Sequence, residues 1–96
     1  PNNGAPYLLI GKMYAATAKS IYPSDGVLAR SVYYAAVDKF EKARQVDPGC
    51  VDEANSLIGS YRAHFPSTEE IFMHPDLEKG QTITIGGWIG EQTRVR

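Results

Sequence analysis

His64 and His74 come first, because two imidazoles joined by an acid at helical spacing can hold a zinc ion. They stand ten positions apart with Pro66 between them, and neither a His-Glu-x-x-His pattern nor a second acidic ligand at helical spacing accompanies them. They read as a His64 at a helix C-terminus, favoured there by the helix dipole, and a surface His74. Cys50 precedes a helix, where a thiolate can be stabilised, but no His or basic residue adjoins it, so it reads as a small packing residue. A lone cysteine also excludes an internal disulfide and a cysteine-based zinc knuckle. Gly86, Gly87 and Gly90 precede strand-like residues instead of opening a helix, which is the wrong context for cradling a phosphate. Nucleophile, base and orienting group form no pattern, so the expectation is a non-catalytic chain with no cofactor and no metal.

The elements that would position any site are set within narrow bounds. Ninety-six residues make one domain, and 43% hydrophobic with 22% charged residues is an ordinary globular composition. A net charge of −1 leaves no basic excess for a phosphate backbone or an anionic membrane surface, so no nucleic acid is expected. The apolar runs Tyr7 to Ile10 and Val32 to Val37 fall far short of the about 18 residues needed to span a bilayer, so no membrane insertion is expected. Position 1 is Pro and no basic-then-apolar leader follows, so the chain reads as a piece of a longer protein.

Tyr7, Ile10, Gly11, Tyr14 and Ala18 recur at spacings of three and four, which predicts a helix from Pro6 to about Lys19. Pro23, Ser24, Asp25 and Gly26 form a connection. A second helix is expected over about Val27 to Val46, with Tyr33, Ala36, Val37, Phe40 and Ala43 on its buried face and an Asp38–Lys42 pair on its wet side. A third runs over about Val51 to His64, with Ala54, Leu57, Ile58 and Tyr61 facing inward. Ser67 and Glu70 have capping-box spacing, which predicts a short fourth helix over about Thr68 to Met73 that closes the helical stack. From Gly80 the period changes to two, and Thr82 to Ile85 with Thr93 to Arg96 reads as a β-hairpin. A loop at Ile89, Gly90 and Glu91 would set Ile85 opposite Val95, with other registers open, and Trp88 is expected to be shielded as it packs the hairpin onto the helices.

The helical part resembles a tetratricopeptide repeat, a helix–turn–helix unit of about 34 residues. Tyr7, Ile10, Gly11 and Tyr14 match the signature of that family's first helix, and Ala36, Phe40, Ala43 and Pro48 match the second. Ala54, Leu57 and Tyr61 fall where another first helix would begin, with Ile58 at the glycine position, as in a terminal capping helix. The two halves come into register only if about 13 residues are inserted between them, near positions 20–30. Gly-Gly-Trp-Ile-Gly-Glu is similar to endings of repeat proteins of bacterial cell envelopes, which leans towards an envelope or periplasmic setting.

The resemblance implies a mostly α, tetratricopeptide-like helix-turn-helix array, spanning 5–73 of a single 1–96 domain, with a β-hairpin tail at 80–96. It implies a non-catalytic protein–protein interaction scaffold at the end of an array, whose partner is a protein or peptide. The alternative is an accessory or capping domain of a larger enzyme with its active site upstream. By register with the family, Leu8, Lys12 and Ala15 of the first helix with Asp52, Asn55, Gly59 and Arg62 of the third would line the partner-binding face. Tyr7, Tyr14, Tyr33 and Tyr61 fall on core stripes and are assigned to packing. Leu9 and Met13 form a separate apolar ridge, which predicts either self-association or coverage by an upstream helix.

Overall fold

The computed structural model describes residues 3–96. Its elements run α1 (Ala5–Ala16), α2 (Ala18–Ile21), α3 (Gly26–Val46), α4 (Val51–Arg62), α5 (Thr68–Met73), β1 (Thr82–Thr84) and β2 (Gln92–Arg94), with a 3-10 turn at Pro48–Cys50. The chain is therefore mostly helical and ends in one two-stranded antiparallel sheet. Among the described residues no helix is long and apolar enough to cross a membrane.

The Asp25 carboxylate starts α3 by accepting the backbone N–H groups of Val27 and Leu28, at 3.1 and 3.0 Å. Val32 and the run Tyr34 to Val37 are almost wholly buried, because α1, α4, α5 and the hairpin cover this stretch of α3 from several sides. One side of α3 packs on α1 and α4: Leu8, Gly11 and Tyr14 from α1 and Ala54 and Ile58 from α4 meet Val32, Ala36, Phe40 and Ala43. Gly11 is the closest approach, where a Cβ would stand 2.5 Å from Phe40 Cε1 and 2.9 Å from the Ala36 carbonyl oxygen. A smaller cluster of Tyr34, Ile71, Leu77 and Val95 forms where α5 and the hairpin cover α3.

Tyr34 is absent from the expected buried face, yet it is the largest fully buried side chain. Among the described residues its hydroxyl has no hydrogen-bond partner; the Arg96 backbone approaches it outside hydrogen-bond geometry, and burial pushes its phenol up. Tyr34→Phe should therefore leave stability unchanged or raise it by about 1–2 kcal/mol, since it removes a desolvated group with nothing to bond. Urea unfolding of the two proteins checks this, and a clear loss would mean that the hydroxyl is bonded.

The first helix is shorter than its periodicity implies, because Thr17 interrupts it. The Thr17 hydroxyl bonds back to the carbonyls of Met13 and Tyr14, at 3.2 and 3.1 Å, and competes with the helical ladder there. The third helix ends at Arg62 instead of His64. Asp38 does not pair with Lys42: it accepts from Thr93 Oγ1 (2.6 Å) and binds the Arg96 guanidinium, because the supposed wet side of α3 is where the hairpin lands.

The hairpin pairs Thr82 with Arg94, Ile83 with Thr93 and Thr84 with Gln92. Ile85 thus stands opposite Glu91, not Val95, and its N–H donates to the Glu91 carbonyl at 2.9 Å. The longer loop uses Gly87 and Gly90 at φ +61° and +57°, a left-handed conformation that only glycine adopts freely. Ile85, Ile89 and Val95 do the docking, whereas Trp88 remains 55% exposed. Trp88 lies edge-on to Tyr14 (5.2 Å between ring centres) and its Nε1–H donates to Thr17 Oγ1 at 3.0 Å, so it touches α1 from outside.

Candidate functional site

The expected partner-binding face divides. Leu8 does not belong to it: at 5% exposure it is a core residue between α1 and its neighbours, since α1 is rotated so that Leu8, Gly11 and Tyr14 point inward. Lys12, Asp52, Asn55, Gly59 and Arg62 are exposed, and Ala15 is half-buried. Lys12 meets Glu53 of α4 at 3.6 Å, which places the outer surfaces of α1 and α4 side by side. Asn55 Oδ1 accepts from Arg44 Nη1 at 2.6 Å, and Arg62 lies 5.6 Å from the centre of the Phe65 ring. The face is polar, mixed in charge and open to solvent.

Ala15 also lines a concavity of about 680 Å³ between the α1–α2 corner, the start of α3 and the end of α4. Its polar lining consists of donors, Lys19, Tyr22, Arg30, Tyr33 and His64, without a carboxylate. Its other walls are mainly small residues. His64 stacks flat on Tyr33 at 4.6 Å instead of serving only the helix terminus. The sequence held a signal for this groove in the alanines 15, 16 and 18, which leave room that larger residues would fill.

His74 is not a free surface residue. The Asp76 N–H donates to its Nδ1 (3.0 Å), so its Nε2 carries the proton and donates to Asp25 Oδ2 at 2.7 Å. It thereby ties the end of α5 to the N-cap of α3, and the hydrogen bonds from Leu28 and His74 hold the Asp25 carboxyl below its ordinary value. Among the described residues no group of three or more His, Cys, Asp and Glu side chains could hold a metal ion.

Cys50 is buried and donates to Asp47 Oδ2 at 3.3 Å. Burial first, and the Asp47 carboxylate second, push its thiol up, which disfavours the nucleophilic thiolate. Asp47 also accepts from the Gly4 N–H at 2.8 Å, anchoring the start of α1 at the α3–α4 corner. On the hairpin side Tyr14 donates to Glu91 and Lys39 Nζ binds the other carboxylate oxygen, each at 2.8 Å. Burial and then Glu91 push the Tyr14 phenol up to about 12; burial opposes the Glu91 charge, but Lys39 and Tyr14 outweigh it and leave that carboxyl lowered.

Arg30 makes a two-armed pair with Glu70, which also completes the capping box with Ser67. Arg30 first, and then the Ser67 N–H, hold the Glu70 carboxyl at about 2. A folded pKa below the unfolded one contributes stability that is complete above the ordinary value of 4.5 and lost as pH falls through about 2. Glu70→Gln should therefore flatten the fall in stability across that window, as read from denaturant midpoints against pH. An unchanged profile would show that the pair adds nothing.

The Leu9 and Met13 ridge is exposed as expected, at 59% and 47%. The short fourth helix does more than close the stack. Only Ile71 of its apolar residues is buried, while Phe72 and Met73 stand 86% and 78% exposed. Three consecutive apolar residues on a helix point in three directions about 100° apart, so one buried contact cannot cover them all.

Comparison with known proteins gives no match: no protein-family profile, curated protein or solved structure is significantly similar to this chain.

Proposed function

We propose that the chain is a non-catalytic protein-interaction module, the end of a tetratricopeptide-like helical array. The observation that carries this reading is the packing at Gly11, where α1 comes so close to α3 that its Cβ would meet Phe40 and Ala36. These are the small and large positions on which the family resemblance rests, and a core shared by α1, α3 and α4 supports the reading. The joined outer surfaces of α1 and α4, with Lys12, Asp52, Asn55 and Arg62, offer a partner polar contacts, and the adjoining concavity at Ala15 offers room for an extended segment. The Leu9–Met13 ridge is the surface on which a neighbouring unit packs.

Repeat arrays gain stability from each interface between neighbouring units, so a repeat added in front of α1 must couple to it. Fusing a consensus tetratricopeptide hairpin in register before Ala5 should give one unfolding transition, at higher denaturant than the unfused chain. Leu9→Glu in the fusion should uncouple the two parts. Two independent transitions in the parent fusion would overturn the array reading.

A further inference from the structure

Leu9 and Met13 on α1 and Phe72 and Met73 on α5 are two exposed apolar pairs on different sides of the fold. α1 packs in the main core, whereas α5 packs through Ile71 on the second cluster around Tyr34. The two segments themselves differ in charge, although Glu53 of α4 stands 3.6 Å from Lys12. From Ala5 to Ile21 the chain carries Lys12 and Lys19 and no acidic residue. From Thr68 to Glu78 it carries Glu69, Glu70, Asp76 and Glu78, with no Lys or Arg before Lys79. Glu70 is engaged by Arg30, but Glu69, Asp76 and Glu78 have no ion-pair partner among the described residues.

Pairing the α5 surface with its own copy would bring carboxylates together, while pairing it with the α1 surface brings them to Lys19, which has no ion-pair partner among the described residues, and to Lys12 beside Glu53. Shape points the same way. Shallow hollows flank the α5 knob, one lined by Ile71 and Leu77 and another by Val27 and Pro75. Leu9 and Met13 are one helical turn apart, so they can straddle a single aromatic knob.

We propose that a second copy of this chain is the partner of both surfaces: Phe72 and Met73 of one copy seat against Leu9 and Met13 of the next. Glu69 and Asp76 then face Lys12 and Lys19. The contact is heterologous, so each pair of copies keeps one free surface of each kind and assembly continues head to tail. This inference gives the Leu9–Met13 ridge a different occupant from the preceding unit of the array reading, and Phe72→Glu, which the array reading leaves without effect, separates the two.

Sedimentation velocity on the full 96-residue chain tests it. Mass should rise with concentration, and Leu9→Glu and Phe72→Glu should each be monomeric with native helix content. Mixed in equal amounts, the two variants should form a dimer that grows no further, because one retains the α5 surface and the other the α1 surface. Should either variant lose helix content, Met13→Glu and Met73→Glu serve as the pair. A parent chain still monomeric at about 1 mM would overturn the proposal. So would variants that fail to complement each other, or association that depends on Leu9 but not on Phe72.

Discussion

Gly11→Ala should destabilise the protein by about 1–3 kcal/mol, although the same exchange in an open helix would stabilise it by about 1 kcal/mol. The added methyl would lie 2.5 Å from Phe40 Cε1 and 2.9 Å from the Ala36 carbonyl oxygen. Neither can retreat easily: the carbonyl belongs to α3, and the fully buried Phe40 ring is held edge-on by Tyr61 at 4.8 Å. Gly11→Leu and Ala36→Leu should cost at least as much, while Lys12→Leu, one position along but in solvent, should stay within about 0.5 kcal/mol. Phe40→Leu shortens the side chain that meets the new methyl, so in that background the cost of Gly11→Ala should shrink. Denaturant midpoints for this set read out both the penalty and the coupling. Unchanged stability in Gly11→Leu and Ala36→Leu together would remove the close α1–α3 contact.

Truncation after Lys79 should abolish the cooperative native state. It removes Ile85, Ile89 and Val95, all buried, and burying a large aliphatic side chain is worth about 1.5–3 kcal/mol. Three such losses consume most of a typical stability of about 5–15 kcal/mol. It also uncovers Tyr34 and strips Asp38, Glu41 and Lys39 of their partners Arg96 and Glu91. Near-ultraviolet circular dichroism and amide exchange should report helices without fixed packing. Trp88→Ala is the contrasting control, expected to cost about 1 kcal/mol because the ring is over half exposed and gives up one edge contact and one hydrogen bond. A truncated chain that unfolds cooperatively at the parent midpoint would mean that the hairpin contributes nothing.

Local signals in the sequence were legible where neighbouring residues act on one another. The apolar spacing from Val27, Ser67 with Glu70, and the period change at Gly80 locate α3, α5 and the hairpin, since periodicity, capping and alternation are set within a few positions. The small positions Gly11 and Ala36 and the large Phe40 also stand out by spacing alone, and they do face one another. Thr17 was less visible, because a threonine inside a helical pattern can bond back to carbonyls three and four residues earlier or face solvent, and spacing does not distinguish the two.

What periodicity could not supply was the identity of each face's neighbour. Leu8 and Leu9 are adjacent and chemically alike, yet the packing of α1 buries one and leaves the other in water. Asp38 reads as a wet-side partner of Lys42, yet Arg96 folds back on it and on Glu41, and His74 reads as a surface residue, yet Asp25 meets it from 49 positions away. The sequence by itself determined the order of four helical segments, the capping box at Ser67 and Glu70 and the presence of a terminal hairpin, because those follow from contacts a few residues long. Only the tertiary structure decided the hairpin register, the burial of Tyr34 and the exposure of Phe72 and Met73, because each depends on which surface a distant segment covers.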